Sequence, residues 1–362
     1  MRPARSFIGV IAAVAALACA SKVAYAQLQI PPELKPAEAE PAAPPKKPAK
    51  PSAPKPAVAK PAAAKPAIAK PPESAKPTAA NGTPDLAYGA FQRGYFLTAF
   101  SEATKRIDAT GDRKAMTLLG ELYANGLGIP KNDTKAAEWY KLASDRGDPD
   151  AMFALAMFNI SGRGGLNDRN EAVRLLAASA KLGNAPAAYD LGLLYLEGRQ
   201  FPQDFARAAE LFRSAAQAGS SEAMYALATL YKEGRGVAKD DVEAARLLGT
   251  SALADNIDAE VEYGIALFNG TGVAKDETAA ARILRRAALR GSPIAQNRLA
   301  RILATGRGAT ADPVAAIKWH TIAKAGGLGD TFLDEFASKQ SAETRAAGEA
   351  AAKPWLQVLS RS

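Results

Sequence analysis

The chain has 362 residues, with 46 Lys+Arg against 37 Asp+Glu, a formal charge of +9, one His and one Cys. A single His and a single Cys exclude a His/Cys zinc site, a disulfide framework and a Cys–His nucleophile pair. The charge suggests a polyanion binder such as a nucleic-acid or membrane-surface protein, until it is located along the chain.

Residues 1–26 read as an address. Arg2 and Arg5 precede an uncharged apolar run from Phe7 to Ala20, and Ala24-Tyr25-Ala26 places small residues at −3 and −1 before Gln27. A basic start, an apolar core and a small-residue site are the parts of a secretory signal peptide, with cleavage between Ala26 and Gln27. The run of 14 residues falls short of the ~20 needed to span a bilayer. Two alternatives stay open: lipid attachment at Cys19, after the lipobox-like Ala16-Leu17-Ala18, and an uncleaved inner-membrane anchor. The expected location is the periplasm or the exterior.

Residues 27–84 read as a stalk. This segment holds 16 of the 24 prolines, no aromatic residue, and a pentad repeat beginning at Lys55, Lys60 and Lys65, with Lys70-Pro71 following. Proline removes donors and fixes φ, so a segment without core residues should be extended and solvated, reaching roughly 180 Å at ~3.1 Å per residue. It is expected to act as a spacer, or as a contact to peptidoglycan or another anionic surface through its nine lysines.

From residue 85 onward a period of 36 residues dominates. Glycine recurs at Gly126, Gly162, Gly198, Gly234, Gly270 and Gly306. One alanine column runs Ala115, Ala151, Ala187, Ala223, Ala259, Ala295, and a second Ala136, Ala172, Ala208, Ala244, Ala280, Ala316. Large residues hold Trp139, Leu175, Leu211, Leu247, Ile283 and Trp319, and Asn132, Asp168, Asp204, Asp240, Asp276 and Asp312 form a polar column. Five aligned columns over six units mark a repeat architecture. The first alanine is expected to open a helix with Ala151, Leu155 and Ala156 inward in the second unit. The glycine column, with a second glycine two places on (Gly128, Gly164, Gly236, Gly272, Gly308), should end that helix at φ > 0; Gln200 replaces the second glycine once. The Asp/Asn column should cap a second helix, closed by Gly147, Gly183, Gly219, Gly291 and Gly327, with Asp255 substituting once. A small residue at Gly120, Ala156, Gly192, Ala228, Gly264 or Ala300 lets another helix approach closely. Each hairpin is too small to bury its own apolar stripe, and stacking buries it.

These columns, as in Ala187-Ala-Tyr189-Asp-Leu191-Gly192-Leu-Leu194-Tyr195-Leu-Glu-Gly198, resemble the Sel-1-like repeat family, a branch of tetratricopeptide-like solenoids. The resemblance is close from Ala115 to Gly327 and weaker over Asp85–Gly111, which looks like a shortened first hairpin. It implies an all-α fold, a right-handed superhelical solenoid over 85–329, and a C-terminal capping pair over 330–362 built on Phe332, Leu333, Phe336, Trp355, Leu356 and Leu359. It also implies a cell-envelope role, such as a periplasmic regulator of exopolysaccharide production or a scaffold of polysaccharide export.

No enzyme is legible. His320 is the only histidine and stands in a column otherwise filled by Tyr140, Leu176, Phe212, Leu248 and Leu284, so it reads as a packed repeat residue without a visible partner. The G-R-G and G-T-G turns are repeat punctuation rather than phosphate loops. Asp240-Asp241 and Asp334-Glu335 belong to caps or polar faces, and Asn81-Gly-Thr83 and Asn269-Gly-Thr271 match a glycosylation pattern by chance. No catalytic residue, cofactor or metal is expected. The sharper candidate is a partner-binding groove on the first helix of each unit, at positions 2, 6 and 9 after the opening alanine: Phe153, Tyr189, Tyr225, Lys232 and Phe268. The expected function is a protein-interaction scaffold; the alternative is an envelope protein that binds peptidoglycan or another glycan through its Lys-rich stalk. The charge supports neither nucleic acid nor a basic fold. Three cationic residues lie in the signal and nine in the stalk against four carboxylates, leaving 34 basic and 33 acidic residues from Asp85 to Ser362.

Overall fold

The computed structural model describes residues 85–198 and 202–359. The signal with Cys19, Ala24, Ala26 and Gln27, the stalk with Asn81, and Gln200 all lie outside them. Among the described residues there are sixteen α-helices and no strand. A degenerate hairpin comes first, α1 (Leu86–Gln92) and α2 (Phe96–Thr110). Six regular hairpins follow. Their first helices are α3 (Arg113–Asn125), α5 (Pro149–Ser161), α7 (Ala185–Glu197), α9 (Ser221–Glu233), α11 (Ile257–Asn269) and α13 (Pro293–Thr305). Their second helices are α4 (Asp133–Asp145), α6 (Arg169–Lys181), α8 (Phe205–Gln217), α10 (Asp241–Leu253), α12 (Glu277–Leu289) and α14 (Pro313–Ala325). Two helices close the array, α15 (Thr331–Ser338) and α16 (Ala342–Leu359). Each first helix packs on its own second helix, and each second helix on the next unit, giving an all-α solenoid.

The polar column caps every second helix. In α6, for example, Asp168 accepts from the Glu171 N–H, and Asp204, Asp276 and Asp312 do the same at the N-termini of α8, α12 and α14. A second capping column governs the first helices: Asp112, Asp148, Asn184, Ser220, Asn256 and Ser292 each accept from the N–H of the column alanine three residues on. The alanine therefore does not open the helix; it lies at the third helical position, and the helix starts two residues earlier. The regularity of the Asp/Asn/Ser-x-x-Ala spacing carries this signal.

The turns behave as the glycine columns require. Gly162 ends α5 at φ 72° with its N–H on the Phe158 carbonyl, and Asp255 takes φ 66° where the other units use glycine. The second glycine is fixed by space as well as by φ. A Cβ on Gly272 would stand 1.8 Å from the Asp241 carbonyl oxygen, because the turn after α11 lies on the N-terminus of α10. The arginine inside these turns is a staple. Arg163 donates to Asp133 at 2.6 Å and to the Ala124 carbonyl at 2.8 Å, and it covers the Phe158 ring at 4.3 Å.

Small residues set the distance between the two helices of a unit. A Cβ on Gly120 would fall 2.5 Å from Tyr140, and one on Gly192 2.6 Å from Phe212. Where the facing residue is Leu176 or Leu248, the first helix carries Ala156 or Ala228 instead, but Gly264 faces Leu284, whose Cγ would lie 2.9 Å from an added Cβ. At the C-terminal end α16 lies on α14, with Trp355 edge-on to Trp319 at 5.2 Å between ring centroids. Phe332, expected in that apolar cap, is 36% exposed and sits under Arg301, whereas Leu333 is buried.

Candidate functional site

The five groove candidates do not share one environment. Phe153, Tyr189 and Tyr225 are half-buried at their edges of the core. Tyr189 rests against Phe212, ring centroids 5.7 Å apart. Lys232 is half-buried and reaches across to Glu262 of the next unit at 2.5 Å. Phe268 is a correction: it is 6% exposed, packed in the C-terminal core under the Arg307 guanidinium at 4.7 Å. Leu193 and Val261 of the same stripe are also buried. The stripe is therefore mixed: Leu193, Val261 and Phe268 sink into the core, while Phe153, Met157, Ile160, Leu196 and Ile265 stay half-buried beside the two tyrosines.

Carboxylates, rather than further aromatics, surround the two tyrosines. The charges felt at the Tyr189 hydroxyl come from Asp190, Glu222 and Asp258; those at Tyr225 come from Glu262, Asp258 and Glu233, and it also feels Tyr189. Helical spacing explains the assembly. Asp258 and Glu262 are four residues apart on α11, and Glu222 and Tyr225 three apart on α9, so each pair shares a face. Burial, reinforced by these negative charges, pushes the Tyr189 hydroxyl up to about 12 and Tyr225 higher still. Burial alone pushes Asp190 up to about 6. Asp258 rises through burial and then through Glu262.

The acidic line continues toward the N-terminal units. Asp150 is raised by burial and by Asp148, and Glu121 by burial and by Asp150. Asn184, the N-cap of α7, donates to Asp150 at 2.8 Å. Asp148, 1% exposed, takes the Thr117 hydroxyl and the Ala151 N–H on Oδ1, while its Oδ2 is buried without a hydrogen-bond partner. Helices α5, α7, α9 and α11 together carry eight carboxylates against one lysine, whereas α6, α8, α10 and α12 carry nine cationic residues against five carboxylates. In these four central units the charge is thus segregated, with the first helices acidic and the second helices basic, whereas α3 and α13 at the ends carry a cationic excess. Sequence reading by apolar stripe missed Asp190, Glu222, Asp258 and Glu262. Their signal lay one residue before the alanine column and three after it.

Such a surface offers acceptor-only carboxylates beside aromatic ring edges, a chemistry that takes cationic groups by ion pairing and cation–π contact. Among the described residues no group of three His, Cys, Asp or Glu side chains is placed to hold a metal. A cavity of about 10 Å³ beside Ile265, Phe268 and Arg298 has room for one water. His320 is buried as a repeat residue, but it does have a partner: its Nε2 lies 2.8 Å from Asp334, which also accepts from Lys324 at 2.8 Å. Those hydrogen bonds, from Lys324 first and then His320, hold the Asp334 carboxyl below its usual range. The contact ties α15 to α14, while the His320 Nδ1 is buried without a hydrogen-bond partner. No helix among the described residues is long and apolar enough to cross a membrane.

No curated protein matches the chain. Among the solved structures that share its architecture are two repeat proteins. One is a protective antigen present in uropathogenic Escherichia coli strains and displaying an SLR fold, at 25% identity and TM-score 0.64 over 74% of this chain. The match spans 62% of the length of that antigen. The other is a Sel1 repeat protein from Oxalobacter formigenes, at 26% identity and TM-score 0.55, covering 66% of this chain and 96% of that one. A Sel1 repeat profile matches residues 113–148, 149–184, 185–220, 221–256, 257–292 and 293–328, the same six hairpins that run from each capped first helix to the turn after its second. With capping columns, glycine turns and helix pairing all in that register, the chain belongs to the Sel1 repeat family.

Proposed function

We propose that this protein is a non-enzymatic interaction scaffold of the bacterial cell envelope, and that the acidic, tyrosine-bearing face of α5, α7, α9 and α11 takes a cationic segment of a partner. Sel1-repeat proteins are in general protein-interaction scaffolds, and theirs is in general a non-catalytic fold. The observation that carries the finer reading is the set Asp190, Glu222, Asp258 and Glu262 around Tyr189 and Tyr225, against which Lys232 is the one cation on the four helices. Asp190 and Asp258, raised by burial, make the free protein less stable at neutral pH, so they are better explained by something that binds them than by the fold. The N-terminal 26 residues support export, and the family resemblance supports a part in exopolysaccharide or related envelope processes. The alternative, a glycan binder working through the Lys-rich stalk, does not use this face.

The test places a photo-crosslinking amino acid at position 225, and a control at the exposed Leu253, in cells producing the full chain. The expected result is a discrete protein adduct from position 225 alone, in the periplasmic fraction, on a chain whose N-terminus is Gln27. Raising salt from about 0.05 to 0.5 M in a periplasmic extract should cut that adduct roughly tenfold, since ion pairs on a solvent-facing surface are screened. Equal labelling from both positions, or an adduct indifferent to salt, would overturn the reading.

A further inference from the structure

Helix α15 departs furthest from the 36-residue pattern. We infer that α15 is a hinged latch: it seats Asp330 and Asp334 on donors contributed by α13 and α14, and when it lifts those donors take the carboxylates of an acidic partner segment. The inference goes beyond the acidic face, because it uses no residue of α5, α7, α9 or α11.

Burial is the first support. α15 stands where the first helix of a seventh unit would stand, yet it has eight residues and Leu333 is the one buried among them. Each of the six first helices has thirteen residues and buries five or more. So little apolar burial places α15 at the low end of local stability. Polar contacts are the second support. Asp330 accepts from the Arg301 Nε at 2.6 Å, the Arg301 Nη2 at 2.8 Å and the Asn297 Nδ2 at 2.8 Å. Asp334, one turn on, accepts from the His320 Nε2 and the Lys324 Nζ, each at 2.8 Å. Carboxylates only accept, so every one of these bonds is donated by α13 or α14. Asn297 and His320 are buried, and Arg301 is held between Asp330 and the Phe332 ring at 5.0 Å. The donors therefore form a built carboxylate site, and the chain itself shows what fits: two carboxylates four residues apart at the start of a helix.

The connections are the third support. The chain enters α15 through Gly326-Gly327-Leu328-Gly329. A Cβ on Gly329 would meet nothing within 4 Å, and its φ is not left-handed, so what this glycine supplies is freedom of the chain. The other end is a fixed pivot. Arg345 of α16 donates to the Ser338 carbonyl at 3.2 Å and to the Gln340 carbonyl at 2.6 Å. α16 is itself locked on α14 by the Trp355–Trp319 contact and at Gly348, where a Cβ would stand 2.7 Å from Ile317. Lifting α15 thus leaves α16 in place over the core.

Amide exchange of the purified full chain, read by mass spectrometry, tests the latch. The α15 amides should exchange roughly tenfold or more faster than those of α14 and α16, and faster still in 0.5 M salt. Arg301→Gln with Lys324→Gln, which leaves α15 unaltered, should speed α15 about tenfold further and α16 less than about twofold. Equal protection of α15 and α16, or acceleration shared equally between them, would overturn the latch. The site is tested with a fluorescent peptide of residues 329–340 added to the full-length variant D330N/D334N, in which asparagine still caps α15. That variant should bind the peptide roughly tenfold or more tightly than the unmodified chain does, because its site is open for a larger fraction of the time. A peptide with both aspartates changed to Asn should not bind. No binding, equal affinity for variant and unmodified chain, or equal binding of the two peptides would overturn the carboxylate site.

Discussion

At the scale of the residue, glycine on the first helix makes room for an aromatic ring at Gly120/Tyr140 and Gly192/Phe212. Gly192 leaves 2.6 Å between a would-be Cβ and Phe212, whereas alanine stands opposite leucine at Ala156/Leu176 and Ala228/Leu248. Gly192→Ala should therefore cost about 1–3 kcal/mol in urea unfolding, despite the better helix propensity of alanine. Adding Phe212→Leu should recover part of the loss; a double-mutant cycle without coupling would refute the pairing. Asp190 gives a second expectation. Its folded pKa of about 6 lies above the ordinary 3.8, so the folded state binds the proton more tightly and stability should rise as pH falls from about 6 toward 4. Asp190→Asn should flatten that slope and stabilise the protein at neutral pH by about 1–2 kcal/mol, after discounting for partial exposure. Chemical unfolding at pH 4.5, 6 and 7.5 measures both. The alanine, glycine and Asp/Asn columns were legible because each repeats a backbone requirement. Asp190 was not, because its environment is made by helices 36 residues away.

At the scale of the element, a substituted core position shows how a helix tolerates charge. Glu260 of α11 is fully buried in a column that holds Met116, Met152 and Met224 in other units. It is kept there by Arg286 of α12 and by Arg290, the C-cap of that helix, at 2.9 Å. Replacing Glu260 by Met should change stability by less than about 1 kcal/mol, or raise it, because desolvation offsets most of the gain from a buried ion pair. Removing Arg286 and Arg290 together while keeping Glu260 should cost roughly 3 kcal/mol or more, since a buried carboxylate would be stranded. Thermal unfolding of the two variants separates them, and equal losses would contradict this account. The same logic explains His320, whose place in the repeat was legible while its partner was not. Asp334 stands on α15, beyond the last period, and only the packing of that helix on α14 brings it to 2.8 Å.

At the scale of the whole molecule, each unit borrows its core from its neighbours, so stability is passed along the array in nearest-neighbour steps. Trp355→Ala, which removes the ring against Trp319, should speed amide exchange in α14 tenfold or more and leave α5 and α6 unchanged. Uniform acceleration along the chain would mean that the solenoid unfolds as one block. The sequence by itself determined the period, the turns, the caps of the second helices and the family, because these depend on contacts within 36 residues and are repeated six times. It also located the excess charge outside the folded part. Tertiary structure alone decided which stripe residues keep a free edge, sending Phe268 into the core and leaving Tyr189 and Tyr225 half-exposed. It also gathered carboxylates of the central first helices around Tyr189 and Tyr225. The physical reason is that burial and Coulomb interaction act through space: stacking sets carboxylates from α7, α9 and α11 side by side, and no count along the chain contains that distance.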